Sequence, residues 1–439
     1  MSDASVINLE KYRSVLEKSY VKKLGKVTRV VGLTIESSGP PGVNIGRTCK
    51  IIANSVSVLS EVVGFRDNNI LLMPLGNMSG IGPGSIVEAL DKPITINVSE
   101  ALLGRVLDGL GEPLDALPFP DGGDEYFTVN APPNPLLRTR INQPLPLGIR
   151  AIDGLLTVGK GQRIGVFAGS GVGKSTIMGM IARNTKADIN VIALIGERGR
   201  EVREFIEKDL GEEGLARSVL VVATSDRPAL VRLKAAEVAT SIAEYFREKG
   251  KDVMLLMDSL TRFAMAQREV GLAAGEPPVS RGYTPSVFAV MPKLLERAGN
   301  SEKGSITGLY TVLVDGDDLT EPVTDAARGI LDGHIVLSRK IANRNHYPAI
   351  DVLASISRVM TDVASSEHKK MANEIKKTMA VYANSEDLIN IGAYVKGSNA
   401  EIDKAISLHD EINAFLNQTV DETAAFEDTL ALMANIAPV

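Results

Sequence analysis

The spacing of apolar and polar positions divides the chain into five stretches of different character. Over residues 4–20, Leu9, Tyr12, Leu16 and Tyr20 recur every three or four positions, with Glu10, Lys11, Arg13, Glu17 and Lys18 between them. This pattern predicts an amphipathic helix. A helix of this size is about 25 Å long and too short to be stable alone, so its apolar stripe must dock, either on the rest of the chain or on a partner. From Lys26 to Ala89 the period changes to short β-type runs: Lys26–Glu36, Thr48–Ile52, Glu61–Phe65, Ile70–Pro74 and Ser85–Glu88. Turn clusters at 38–42, 67–69 and 80–84 separate them. Short, regular strands of this kind predict a small closed barrel. Such barrels include oligonucleotide readers, but this one has few aromatics and no interleaved basic residues, which favours an assembly collar. Prolines crowd residues 112–148 and predict an extended connector.

After the connector, β-type runs at Arg163–Phe167, Asn190–Ile195, Ser218–Ala223, Asp252–Met257 and Ile306–Val314 alternate with helical patterns. Apolar runs separated by helices predict a parallel sheet covered on both faces. Helical periodicity then dominates at Met371–Ser385, Asn399–Asn417 and Asp421–Ala434. The expected organisation is an amphipathic helix (1–22), a barrel (23–95), a connector (96–148), an α/β core (149–364) and a helical domain (365–439).

The first core strand runs into Ala168-Gly169-Ser170-Gly171-Val172-Gly173-Lys174-Ser175, and a helical pattern starts at Thr176. Three glycines let the backbone close into a nest of N–H groups facing one anion, with the positive end of a helix dipole behind it. A nucleotide phosphate is the simplest such anion. Lys174 then reaches the β and γ oxygens and Ser175 takes a place on magnesium, with Thr176 beside them. Ala168 stands where this motif usually has its first glycine.

Hydrolysis also needs a metal holder and a group that handles water. Asp258 closes the run Val253–Met257 and is the expected outer partner of magnesium, although a helix N-cap is compatible with the same position. Glu197 follows Val191–Ile195 and emerges at the same sheet edge, where it can hold the attacking water and accept its proton. The alternative is a salt bridge from Glu197 to Arg198 or Arg200. The acidic positions 315, 317, 318, 321 and 325 do not have the spacing of a calcium loop. His334 and His346 read as structural.

Composition narrows the class further. The 439 residues include 44% hydrophobic ones and support several domains. There is no apolar run of membrane-spanning length and no secretion signal at the start, so the expected location is the cytosol. The single cysteine, Cys49, excludes an intramolecular disulfide, and the four histidines have no metal-ligand spacing. A net charge of −6 gives no electrostatic footprint for nucleic acid.

Ala168–Ser175, Gly196-Glu197-Arg198, Asp258-Ser259-Leu260-Thr261-Arg262 and Ser355-Ile356-Ser357-Arg358 together resemble the rotary ATPase catalytic subunits. Pro285–Ala289, Leu294–Asn300, Ile330–Arg339 and Tyr347–Asp351 resemble, within that superfamily, the ATPases of type III protein export. Glu61–Arg66 with Leu72–Pro74, and Glu386–Tyr394, look like the flagellar branch rather than the virulence branch. The resemblance implies a RecA-like P-loop core with a parallel sheet, preceded by a small N-terminal β-barrel and followed by a C-terminal helical domain. It implies a homohexameric ring that hydrolyses ATP to ADP with Mg2+ at subunit interfaces. Carried onto matching positions, Lys174 and Ser175 bind phosphate and magnesium, Glu197 activates water, Asp258 orders the metal, and Arg198 and Arg262 support the phosphates. Arg358 looks like the finger offered to a neighbouring subunit. Tyr347 stacks on adenine with Phe426 as a second wall, and Val420 stands where the ATP synthase subunit has another aromatic. The implied partners are a dimeric regulator at the N-terminal helix, a coiled-coil stalk protein, the export gate and chaperone–cargo complexes. The implied location is the cytoplasmic side of the inner-membrane base of the flagellar apparatus, with peripheral contact only. A proton-driven ATP synthase subunit, a nucleic-acid motor and a non-hydrolysing scaffold are the competing readings.

Overall fold

The computed structural model describes residues 22–53, 56–90, 92–314, 318 and 320–438. The amphipathic segment at 4–20 and the acidic positions 315 and 317 lie outside the described residues. The described residues form two compact units, one comprising those up to Ile94 with Ala273–Gly275, the other comprising the rest.

The first unit contains a closed barrel of β1 (Leu24–Val31), β2 (Thr34–Ser37), β3 (Thr48–Ala53), β4 (Val56–Arg66), β5 (Asn69–Pro74) and β6 (Ile86–Ala89), in the order β1-β2-β5-β4-β3-β6. Ile35, Cys49, Ile51, Val62, Leu72 and Val87 fill its interior. The predicted run Lys26–Glu36 is two strands, because Gly32 at φ 56° turns the chain back on itself and Val31 pairs with Thr34. Closure leaves no free sheet edge.

The second unit is built on a sheet of β8 (Val106–Asp108), β10 (Arg163–Ala168), β11 (Ile189–Ile195), β12 (Ser218–Ala223), β13 (Asp252–Asp258), β14 (Gly299–Asn300), β15 (Ser305–Leu313), β16 (Gly333–Leu337) and β17 (Ile350–Ser357). Its order is β17-β16-β10-β15-β13-β11-β12-β8, with β14 beside β15. The strands β10, β11, β12, β13, β15 and β16 pair in parallel, and every residue of β11 and β12 is buried. The predicted parallel, two-sided sheet is what these runs form. Strands β8, β16 and β17 fall outside the five predicted segments. β8 has only three residues, and β16 and β17 at the sheet's end alternate between buried and partly exposed positions rather than forming continuous apolar runs.

The proline-rich stretch carries one further strand, β9 (Asp124–Phe127), which pairs with β7 (Thr95–Val98). At its end Leu145, Leu147 and Ile149 enter the core and lead into a fully buried short helix, Arg150–Leu155. Helices Ser366–Asn390, Ala400–Leu416 and Phe426–Ile436 pack on that helix, burying Met371, Ile375, Phe415 and Met433 with Leu155 in one cluster. Gly154 is required there, because a Cβ would lie 2.8 Å from Met433 Sδ and 3.0 Å from Phe415 Cζ. Ser365 and Asn399 cap the first two of these helices, each accepting backbone N–H groups of the first turn.

Candidate active site

The parallel register brings the C-terminal ends of β10, β13 and β11 to one edge of the sheet, where open α/β folds bind their ligands. β10 ends at Ala168, and residues 169–173 turn into the helix Lys174–Asn184. Gly171 and Gly173 take φ values of 77° and 94°, which L side chains rarely adopt, so the loop needs glycine at both positions. Gly173 is the residue that opens the helix, and no side chain caps its N-terminus. The first-turn N–H groups are left for an anion. Ser175 and Thr176 lie in that turn, and the Ser170 carbonyl is held by Arg339, whose Nη2 donates to it at 3.0 Å.

Lys174 Nζ donates to Asp258 Oδ1 at 2.5 Å and to Glu197 Oε1 at 3.3 Å. Three residues separated by up to 84 positions thus meet at one point. Asp258 is held from its other side by the buried Thr311 hydroxyl, which donates to the same oxygen at 2.7 Å. Burial works against the Lys174 charge, but Asp258 and Glu197 outweigh it and hold the ammonium above its ordinary pKa. Burial and the neighbouring Asp258 charge push Glu197 up to about 7, against the opposing pull of Lys174. Glu201 accepts a hydrogen bond from Glu197 and is held below its usual value. A carboxyl poised near neutrality beside a lysine ammonium is suited to accepting a proton.

The expected arginines are distributed unequally. The Arg262 stem packs against Gly196, where a Cβ would come within 3.1 Å of Arg262 Cβ, and its Nε is buried without a partner among the described residues. A buried guanidinium nitrogen without a partner is rare in folded proteins and marks Arg262 for a role beyond packing. Arg198 is solvent-exposed and pairs with Glu201 at 3.1 Å. Arg358 is not brought to this point. β17 runs antiparallel to β16, so Ser357 pairs with Gly333 at the sheet edge opposite the phosphate loop. There Arg358 is exposed, its backbone N–H donating to Asp332 O at 3.0 Å and its Nη2 to Arg328 O at 3.3 Å.

Beside the loop a cavity of about 350 Å³ is lined by Gly173, Ile177, Tyr347, Pro348, Gln418 and Val420, among others. Tyr347, which the resemblance names, is one of the lining residues. Phe426 does not line the cavity. The last helix begins at Phe426, which turns its ring edge-on to His368 at 5.9 Å between centroids, and the irregular segment before the helix supplies Gln418 and Val420 instead. Thr311, Arg339 and Gln418 were not singled out from the sequence. Each acts through contacts with residues distant in sequence, and no local spacing announces them. The donor set at the strand ends, the Ser175 hydroxyl and the Asp258 carboxylate, is all oxygen and fits a hard cation such as magnesium.

Comparison with known proteins agrees with this geometry. Residues 148–357 match the ATP synthase alpha/beta family, nucleotide-binding domain; residues 27–91 match its beta-barrel domain; and residues 364–435 match the T3SS EscN ATPase C-terminal domain. The flagellum-specific ATP synthase of Bacillus subtilis is 58% identical over 94% of this chain and 95% of that protein. The type 3 secretion system ATPase of Xanthomonas euvesicatoria is 51% identical over 94% of each chain. The solved structure of the assembled ATPase EscN from enteropathogenic E. coli superposes with a TM-score of 0.90 at 49% identity, covering 94% of this chain and 99% of that one. The same ATPase in complex with its central stalk EscO superposes at 0.87. The resemblance and the barrel, α/β core and helical order it implied are borne out. The chain belongs to the ATP synthase alpha/beta family, among the flagellar and type III secretion ATPases.

Proposed function

We propose that this chain is a magnesium-dependent ATP hydrolase that powers type III export of flagellar proteins, and that its site is completed between subunits of a homohexamer. The observation that carries the reading is the meeting of Lys174, Glu197 and Asp258 at one sheet edge with Arg358 at the other. The loop N–H groups and the helix dipole hold the phosphates. Lys174 exchanges its carboxylate partners for the β and γ oxygens, which frees Glu197 to orient a water and take its proton. Arg262 Nε, and Arg198 after release from Glu201, reach the charged oxygens. Ser175 and Asp258 would hold magnesium, whose charge neutralises that developing on the phosphoryl group. Tyr347 stacks on adenine.

An arginine on the far side of its own sheet can serve only a neighbour's phosphates, which supports Arg358 as a finger supplied in trans. The assembled EscN structures and the EscO complex support a ring around a coiled-coil stalk. The higher identity to the flagellum-specific relative favours the flagellar branch over virulence secretion. The wider reading places the N-terminal 22 residues on a dimeric regulator, the barrel (23–95) and the connector (96–148) ahead of the catalytic core (149–364), and the helical domain (365–439) near stalk, chaperone–cargo complexes and export gate. Among the described residues no helix is long and apolar enough to cross a membrane, in keeping with a cytoplasmic enzyme that meets the inner-membrane base peripherally.

The decisive experiment mixes two inactive proteins. Arg358→Ala keeps its phosphate loop and Lys174→Ala keeps its finger, so a mixed ring contains sites with both. Arg358→Ala alone is expected to bind ATP normally and lose roughly 10³-fold in turnover, and addition of Lys174→Ala to restore part of it. Normal turnover by Arg358→Ala, or no recovery on mixing, overturns the trans assignment.

A further inference from the structure

The base cavity is lined, with Tyr347, by Gln418 and Val420 of residues 417–425, which connect two helices without regular secondary structure of their own. Such a segment keeps its place only through the groups that hold it. Gln418, 2% exposed, is used at every polar atom of its side chain: Oε1 accepts the Arg150 N–H at 2.9 Å, and Nε2 donates to Gly148 O at 2.8 Å and to Glu422 O at 2.9 Å. Its backbone N–H donates to Tyr347 O at 2.9 Å, so the aromatic residue and this segment are joined directly. The Arg150 guanidinium is buried behind them, donating to the carbonyls of Phe415 and Asn417 and to the Glu422 carboxylate. Arg183 adds a hydrogen bond to Val420 O at 2.9 Å. These contacts all lie on the base side, and none involves Lys174, Glu197 or Asp258.

We propose that Arg150, Gln418 and Glu422 are positioning residues that set the base-side wall of the nucleotide site. They decide how tightly the nucleoside half of the substrate is held and leave the phosphate half untouched. The proposal rests on the reading above that the cavity at Tyr347 takes the base of ATP. A charged fork is suited to the task, because Arg150 reaches two carbonyls and a carboxylate at once in a fixed plane. Loss of the fork takes a partner from the Phe415 and Asn417 carbonyls and from the Glu422 carboxylate, at the start of a segment with no ladder to hold it. The segment then shifts, and the wall shifts with it.

The test compares two ligands that share phosphates and differ in the nucleoside. Binding of ATP and of inorganic tripolyphosphate, each with magnesium, is measured by calorimetry on the full chain for wild type, Arg150→Ala, Arg150→Lys and Glu422→Gln. Arg150→Ala is expected to weaken ATP roughly tenfold, about the loss of one base-stacking contact, and to leave tripolyphosphate unchanged. Arg150→Lys recovers part of the loss. Glu422→Gln, at a partly exposed and milder position, weakens ATP about twofold to threefold with the same selectivity. In steady state these appear as a raised KM with kcat retained. Equal weakening of both ligands, or unchanged ATP binding in Arg150→Ala and Glu422→Gln, overturns the proposal. A wild type that binds tripolyphosphate as tightly as ATP overturns the base-pocket reading beneath it, and the two failures are told apart by that ratio.

Discussion

The two ends of the nucleotide site are built on opposite principles. At the phosphate end, Lys174, Glu197 and Asp258 sit on the tips of buried strands and on the first turn of a helix, and both carboxyl groups lie within 3.3 Å of the Lys174 ammonium. At the base end the walls are an exposed tyrosine ring, aliphatic side chains and an irregular segment, held from behind by Arg150 and Arg183. Strand tips cannot move without breaking the ladder of the buried central strands, whereas the base-side wall moves when a few side-chain hydrogen bonds are exchanged. The proposed function puts chemistry on the rigid end and affinity on the adjustable one. Substitutions at the first should therefore change turnover, and substitutions at the second should change KM.

The sharpest test of that division is Glu197→Gln. The amide keeps the shape and the Lys174 contact but cannot accept a proton, so kcat is expected to fall by roughly 10²–10⁴, while ATP binding stays within about threefold. The wild-type pH profile carries the same information. Glu197 is raised to about 7 by burial and by Asp258, and only its charged form is a base. Hence kcat/KM should rise about tenfold per pH unit below 7 and level off above it, and the acid limb should vanish from the residual activity of Glu197→Gln. A limb near 4.5 would place the base on an unburied carboxylate and break the assignment.

Tyr347→Ala is the matching test at the other end. The cut removes the ring and leaves the backbone carbonyl that holds Gln418. Loss of one base–aromatic stack is expected to raise the KM for ATP about tenfold, with kcat little changed. A large fall in kcat instead would mean that the base end positions the phosphates as well, and the two-part description would fail.

The same contrast explains what was legible in the chain. The phosphate end is local in sequence: a strand, three glycines, a lysine and a helix start within a dozen residues, and two apolar runs that each end in a carboxylate. Periodicity alone places those carboxylates at one sheet edge, because parallel strands share their C-terminal side. The base end has no such signature. Its wall depends on Arg150 finding Glu422 and on Gln418 meeting Gly148, contacts across about 270 positions. Tyr347, which the resemblance names, lines the cavity; Phe426 opens helix Phe426–Ile436 and is not among the lining residues, whereas Gln418 and Val420 of the loop before it are. Thr311 escaped for the same reason: its hydroxyl matters only because β13 and β15 are neighbours. The far position of Arg358 was hidden because it follows from the antiparallel turn of β17 at the sheet's end, and β17 is not a continuous apolar run.

Val420→Phe makes the smallest change and is a gain rather than a loss. Val420 is 40% exposed, lines the cavity with Tyr347, and is anchored by its carbonyl through Arg183, so its side chain can be enlarged without disturbing the hold on the backbone. A phenyl ring there would give the base a second aromatic surface, and one such contact contributes about 0.5–1.5 kcal/mol. The KM for ATP is therefore expected to fall about threefold, kcat to stay within twofold, and tripolyphosphate binding not to change. If the base end is adjustable, the added ring is accommodated and affinity rises. If ATP binding weakens instead, the wall is as tightly determined as the strand tips, and the division between a rigid phosphate end and an adjustable base end does not hold.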